Sequence, residues 1–166
     1  MKVIKIALVA GLVLLGNLSA VIFVQAATGD PAKGKSLYPV CTACHGVNGA
    51  GNQAMGAPKS SGQLAFYTLK ELQLFQDGAR GTAAGDTKGM QMAAMSKGPQ
   101  LKSEQALANL VAYVSSLPDT PIAATISGDV NKGRVAYPVC AACHGVQGEG
   151  NEAMAGPRLT GQSDWY

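Results

Sequence analysis

Hydrophobic residues recur at helical spacing in two segments of the chain. One set predicts an amphipathic helix over residues 63–77: Leu64, Tyr67, Leu69, Leu72 and Phe75. Another lies on one face of a predicted helix over residues 104–116: Leu107, Leu110, Val111 and Val114. Ser103 can cap this second helix. No segment alternates as a β-strand does, so the pattern predicts an all-α fold.

Capping and breaker residues predict the parts between these helices. Asp30 can cap a helix that starts with Pro31 and covers about residues 31–37. The glycine-rich segments 46–61 and 78–98 are predicted as loops. Residues 118–128, with Pro118 and Pro121, are predicted as a linker.

The chain contains an internal repeat. Residues 30–67 align without gaps on residues 129–166, offset by 99 positions, with 21 identities in 38. A repeat of this length indicates tandem duplication of one domain. We therefore assign a first domain to residues 28–117 and a second to residues 129–166. The sequence of the first unit continues after Tyr67, whereas the second stops at the equivalent Tyr166, so a C-terminally truncated second domain is expected; a unit that is short by design is the alternative.

Residues 1–26 have the pattern of a secretory signal peptide. Lys2 and Lys5 give a positive start, residues 6–15 are apolar, and Val24-Gln25-Ala26 resembles a small-residue cleavage site. An uncleaved membrane anchor is the alternative, because residues 6–24 are almost long enough to span a bilayer. Both interpretations place the rest of the chain outside the cytoplasm, in the periplasm, and the second adds membrane association.

Composition limits the core and the class of partner. Aromatic residues make up 5% of the chain and there are 21 glycines, so a small domain has few side chains with which to fill a core. A large apolar cofactor would fill it. Outside residues 1–26 the chain carries 11 basic and 10 acidic residues, without a basic run, which argues against nucleic-acid binding.

All four cysteines and both histidines fall in two Cys-x-x-Cys-His motifs, at residues 41–45 and 140–144. On one turn of helix the two thiols are spaced for the two vinyl groups of haem, and the next residue, histidine, points at the iron. This is the signature of c-type haem attachment. We predict two covalent haem c groups, with His45 and His144 as axial iron ligands. The predicted thioether residues are Cys41, Cys44, Cys140 and Cys143.

Three other cysteine chemistries fit the motifs less well. A zinc site needs four ligands close in space, and each motif offers three. A thioredoxin-like dithiol would follow a β-strand, and none is predicted. Disulfides are common in secreted chains, but they do not require a histidine beside each cysteine pair.

The sixth ligand of each iron cannot be a third histidine of this chain. Methionine is the usual choice in cytochromes c and raises the reduction potential. Met90, Met92 and Met95 cluster before the last predicted helix, and we predict Met95 as the ligand because it lies closest to that helix, with Met92 as its rival. The equivalent position of the second unit would be 194, so its ligand is unassigned, and Met154 is expected to pack.

Residues that follow the motifs are expected to support the histidines. Pro58 and Pro157 each lie 13 positions after their histidine, and a carbonyl of this loop can accept a hydrogen bond from Nδ1 of the ring. Two cations come directly after these prolines and are expected either to approach haem propionates or to lie in solvent: Lys59 and Arg158.

These motifs resemble those of class I cytochromes c, and the duplication resembles the dihaem periplasmic cytochrome c-four type. The resemblance covers nearly the whole chain after residue 26 and extends to flanking positions: Lys33-Gly34, Asn52, Pro58, Gly62-Gln63, Met95 and Leu110-x-x-Tyr113. It implies two helical domains packed around haem and methionine ligation of both irons. It also implies one-electron transfer from a quinol-oxidising membrane donor to a terminal oxidase or other acceptor.

We therefore predict a periplasmic dihaem carrier of single electrons, and not an enzyme. Two alternatives differ in class. One is a cytochrome subunit of a dehydrogenase complex. The other is a haem enzyme or sensor, which would require a five-coordinate second iron.

Overall fold

The computed structural model describes residues 28–166, so the predicted signal peptide lies outside the described residues. This range contains seven α-helices and one 3₁₀ helix, Pro99–Leu101. The α-helices in chain order are α1 (Pro31–Leu37), α2 (Pro39–His45), α3 (Ala65–Asp77), α4 (Thr87–Ser96), α5 (Glu104–Ser116), α6 (Val130–Ala136) and α7 (Pro138–His144). Over this range the β-pairing is limited to two isolated bridges, which confirms the all-α prediction. None of the described helices has the length and apolar character needed to cross a membrane.

Capping residues set the helix starts as the sequence predicted. The Asp30 carboxylate accepts hydrogen bonds from the backbone nitrogens of Ala32 and Lys33, and Pro31 occupies the first turn. The Ser103 hydroxyl accepts from the backbone nitrogen of Ala106 and starts α5. These contacts satisfy amide groups that have no partner inside the helix.

The core of the first unit forms where α1 crosses α5. Its members are at most 7% exposed: Tyr38, Leu72, Leu101, Leu107, Leu110, Val111 and Val114. Gly34 lies so close to α5 that a Cβ built there would overlap the carbonyl oxygen of Asn109. The Asn109 side chain also accepts a hydrogen bond from the backbone nitrogen of Asp30 at 2.8 Å. The glycine and the asparagine thus allow the two helices to approach closely.

One predicted loop is wrong, because residues 87–96 form helix α4. The Asp86 side chain caps it by accepting from the backbone nitrogen of Gly89 at 2.8 Å. Gln76 of α3 donates to the Ser96 carbonyl at 2.7 Å and ties the end of α4 to the core. The many glycines before this segment masked a run of good helix formers that includes methionine, alanine and glutamine.

The second unit repeats the local structure of the first without its core. Asp129 caps α6 in the same way as Asp30 caps α1. Val135 and Val139 are 83% and 84% exposed. Gly133 is the equivalent of Gly34, and a Cβ built on it would meet nothing within 4 Å. Among the described residues, no helix packs across α6 as α5 packs across α1.

Candidate haem-binding sites

Each Cys-x-x-Cys-His motif occupies a short helix that begins with proline and ends at histidine. The helices are α2 and α7, and each is followed by a glycine with positive φ, 77° at Gly46 and 81° at Gly145. A side chain is strained in that conformation, so glycine is required there. The turn takes the chain away from the helix directly after the histidine.

A tyrosine before each helix fixes this turn. The Tyr38 hydroxyl donates to the Gly46 carbonyl at 2.8 Å, and the Tyr137 hydroxyl donates to the Gly145 carbonyl at 2.7 Å. Burial raises the pKa of Tyr38, so the hydroxyl stays protonated and able to donate. The two motifs therefore share the same local support.

The histidine rings are oriented by proline carbonyls. Nδ1 of His45 lies 2.8 Å from the Pro58 carbonyl oxygen, and Nδ1 of His144 lies 2.9 Å from that of Pro157. A carbonyl only accepts, so Nδ1 carries the proton and Nε2 is left with a free lone pair. The expected support of both histidines by this loop is confirmed. It leaves each ring ready to bind a metal through Nε2.

The four cysteines are free thiols, which thioether formation with haem requires. None of the four is joined in a disulfide. Burial, followed by the neighbouring Cys44 thiol, raises the pKa of Cys41 to about 11, so this group is a neutral thiol at pH 7. Within residues 28–166, no group of three or more His, Cys, Asp or Glu side chains is arranged to hold a metal ion.

The apolar surface near both motifs fits a haem. Val40 and Val47 of the first unit are 39% and 71% exposed, and their equivalents Val139 and Val146 are 84% and 77% exposed. A porphyrin ring bonded to the adjacent cysteines would cover apolar surface of this kind. Two thiols, one histidine with a free Nε2 and exposed apolar side chains recur in both units, so the residues present fit two haem c groups.

Helix α4 places the three candidate methionines in different environments. Met92 packs against the hydrophobic core. Met90 and Met95 point to the surface and are 43% and 45% exposed. A sulfur that already fills a core position is a poor candidate for an iron ligand, so this arrangement favours Met95 over Met92. The role of Met95 stays a prediction.

Lys59 does not lie in solvent, so that expectation is wrong, whereas its approach to a haem propionate stays a prediction. Its side chain is 2% exposed, and Nζ is bound by the Asp119 carboxylate. The ammonium also donates to the carbonyls of Thr120 at 2.8 Å and Gly161 at 3.1 Å. Its three protons are therefore used within the protein.

Arg158 shares the same carboxylate. Its Nη1 lies 2.6 Å from Asp119 Oδ2 and 2.8 Å from the Gly62 carbonyl. Asp119 lies in the predicted linker, and its carboxylate joins a cation of each repeat unit. We call Lys59, Gln63, Asp119, Arg158 and Gln162 the inter-unit seam. No sequence pattern singled out Asp119, because it lies outside the repeat, whereas Gln63 and Gln162 recur at equivalent positions.

The seam is expected to weaken in acid. The hydrogen bond from Lys59, followed by that from Arg158, lowers the pKa of Asp119, so its stabilisation is complete above the ordinary aspartate pKa of about 3.9. It is lost as pH falls through the lowered value. Asp119→Asn should remove roughly 1 kcal/mol at pH 7, because hydrogen bonds to charged groups contribute about 1.5–3 kcal/mol and solvent screens this partly exposed carboxylate.

Urea unfolding between pH 7 and pH 2 measures this effect. Asp119→Asn should show a smaller loss of stability in acid than the wild type. The exposed carboxylate of Glu152 provides a control with the same change of charge, Glu152→Gln. Equal behaviour of the two variants would contradict the assigned role of Asp119.

Comparison with known proteins agrees with this geometry. The family model described as Cytochrome c matches residues 31–118 and 130–166. Cytochrome c4 of Azotobacter vinelandii is 36% identical over 149 residues, covering 84% of this chain and 70% of that protein. The Cbb3-type cytochrome c oxidase subunit FixP of Bradyrhizobium diazoefficiens is 37% identical over 133 residues, covering 78% of this chain and 44% of that protein.

A solved structure has the same fold. The crystal structure of reduced recombinant cytochrome c4 from Pseudomonas stutzeri superimposes with a TM-score of 0.65 at 32% identity. The superposition covers 84% of this chain and 76% of that structure. The match includes both repeats, so the tandem arrangement is common to the two molecules.

Proposed function

The chain belongs to the cytochrome c family, and we propose that it carries single electrons on two haem c groups whose irons are ligated by His45 and His144. The observation that carries this proposal is the repeated histidine geometry. In both units Nδ1 is bound to a proline carbonyl, at 2.8 and 2.9 Å, while two thiols lie on the same short helix. This is an electron-transfer protein and not an enzyme.

The chain's own residues hold and tune each site. Cys41 and Cys44 are proposed to bind the first haem and Cys140 and Cys143 the second, with Met95 as the sixth ligand of the first iron. A bound haem supplies one-electron chemistry, and the protein sets its potential through ligands, hydrogen bonds and burial. The proline carbonyls make the imidazoles stronger donors to the iron and keep each ring in one orientation.

The two haem-bearing domains are proposed to be residues 28–117 and 129–166, joined by the linker 118–128. The two segments matched by the family model support this division.

We propose a periplasmic location on the strength of the signal-like segment 1–26. Its partners are redox proteins, and a quinol-oxidising membrane donor and a terminal oxidase are proposed as donor and acceptor. The relative named as an oxidase subunit supports the acceptor.

Haem content tests the proposal directly. Wild-type protein exported from a host with haem-attachment machinery should contain two haems per chain that resist acid–acetone extraction, because thioether bonds are covalent. The double variant Cys140→Ser/Cys143→Ser should retain one haem, and Cys41→Ser/Cys44→Ser should retain the other. Extractable haem, or zinc in its place, would contradict the assignment. Haemochrome absorbance and intact mass measure the outcome.

Carbon monoxide distinguishes the carrier from a haem enzyme or sensor. The carrier interpretation predicts no large spectral change of the first haem on adding carbon monoxide to the reduced protein, because an iron ligated by both His45 and Met95 offers no open position. A large change confined to the second haem would favour the enzyme or sensor alternative. The Cys41→Ser/Cys44→Ser variant isolates that haem.

A further inference from the structure

Gln63 and Gln162 each bind the backbone of the opposite unit. Gln63 Nε2 donates to the Arg158 carbonyl at 3.0 Å, and its Oε1 accepts from the Arg158 backbone nitrogen at 2.9 Å. Gln162 Nε2 donates to the Lys59 carbonyl at 2.9 Å, and its Oε1 accepts from the Lys59 backbone nitrogen at 3.0 Å. The two side chains therefore exchange equivalent contacts across the seam.

The peptide groups that they bind are those that orient the histidines. The nitrogen of Arg158 and the carbonyl of Pro157 belong to one planar peptide group. That carbonyl accepts the Nδ1 hydrogen bond of His144. A chain of hydrogen bonds thus runs from Gln63 Oε1 through this peptide group to the second histidine. The equivalent chain runs from Gln162 through the peptide group between Pro58 and Lys59 to His45.

Hydrogen bonds in such a chain strengthen one another. A peptide whose N–H donates has a more negative carbonyl oxygen, which is then a better acceptor. A better acceptor on Nδ1–H makes the imidazole a stronger donor to iron and favours the ferric state. The glutamine also fixes the peptide in space, so the direction of the histidine ring depends on the opposite unit.

We propose that Gln63 is a positioning residue for the second haem and Gln162 for the first, so that each unit tunes the iron ligand of the other. The inference rests on the proposed function, because it assigns His144 and His45 to the two irons. It makes the seam a route by which the units influence each other's potential. The ion pairs of Asp119 with Lys59 and Arg158 hold the two units together at the seam, and the glutamine contacts require this proximity.

The test replaces each glutamine by methionine, which has similar length and no amide. The control is Gln73→Met, at an exposed glutamine of α3. Gln63→Met should raise the midpoint potential of the second haem and leave the first unchanged. Gln162→Met should raise the midpoint potential of the first haem and leave the second unchanged. Each haem is followed through its own hyperfine-shifted methyl signals during a redox titration, with circular dichroism to check the fold.

Amide hydrogen exchange provides a readout that does not depend on the iron. Gln63→Met should reduce protection of the Arg158 amide at least tenfold and leave the Lys59 amide protected. Gln162→Met should reduce protection of the Lys59 amide and leave the Arg158 amide protected. Loss of protection at both amides in either variant, or a potential shift in the variant's own unit, would overturn the crossed assignment. Unchanged potentials would overturn it as well.

Failure of the proposed function would look different. Wild-type protein without two covalent haems would refute the carrier role. The exchange measurements would still report whether the glutamines fix the opposite peptide groups.

Discussion

Met95→Ala is expected to abolish the sulfur-to-iron absorption band of the first haem and to lower its reduction potential. Loss of a thioether ligand removes the preference for ferrous iron. We expect a fall on the order of 0.1 V, a fraction of the roughly 0.8 V that axial ligands span. The measurement uses the Cys140→Ser/Cys143→Ser background, so that only the first haem contributes.

The neighbouring methionines provide the controls for Met95. Met90→Ala removes a sulfur of similar exposure, 43% against 45%, from the same helix, and should leave the band intact. Met92→Ala should also leave the band, but it should reduce the free energy of unfolding by about 2 kcal/mol, because Met92 packs against the core. If the band is lost in Met92→Ala and kept in Met95→Ala, the ligand assignment is wrong.

Gly34→Val is expected to destabilise the first unit by about 3 kcal/mol or more. A Cβ at this position would overlap the Asn109 carbonyl and the Tyr113 Cβ on α5. Backbone cannot move aside as a flexible side chain can, so α1 would have to shift away from its packed position. Chemical unfolding followed by circular dichroism measures the loss.

The repeat provides a matched control for this substitution. Gly133→Val makes the same change on α6, where nothing lies within 4 Å of the new Cβ. The change of helix propensity from glycine to valine is the same in both variants, because each glycine lies within a helix. We expect Gly133→Val to change stability by less than about 1 kcal/mol. Equal losses in the two variants would show that close helix packing is not the cause.

The local parts of the fold could be predicted from the sequence. The helices at residues 31–37 and 104–116 have the predicted bounds, because their caps, Asp30 and Ser103, act on amides two or three positions away. The histidine support by the proline loop is also local, with 13 positions between the two groups. Contacts of this range are set by residue type and spacing, which the sequence contains.

Helix α4 shows where local patterns were insufficient. Its start depends on Asp86, which the sequence did not single out, and its end is fixed by Gln76, which lies 20 positions away. A glycine inside the segment lowered the apparent helix propensity, and packing against α3 overrode it. This helix decides which methionine is exposed, so the choice between Met92 and Met95 gains its structural support only from the fold.

By itself the sequence determined the helical class, the duplication and the two Cys-x-x-Cys-His sites, because each depends on residue spacing along one segment. Tertiary structure decided the place of Lys59, the pairing of Gln63 and Gln162 with the opposite unit, and the role of Asp119. Those contacts join residues 39 to 103 positions apart. A buried cation is stable only where folding brings a carboxylate and carbonyls to it, and no local sequence pattern predicts such a contact between distant residues.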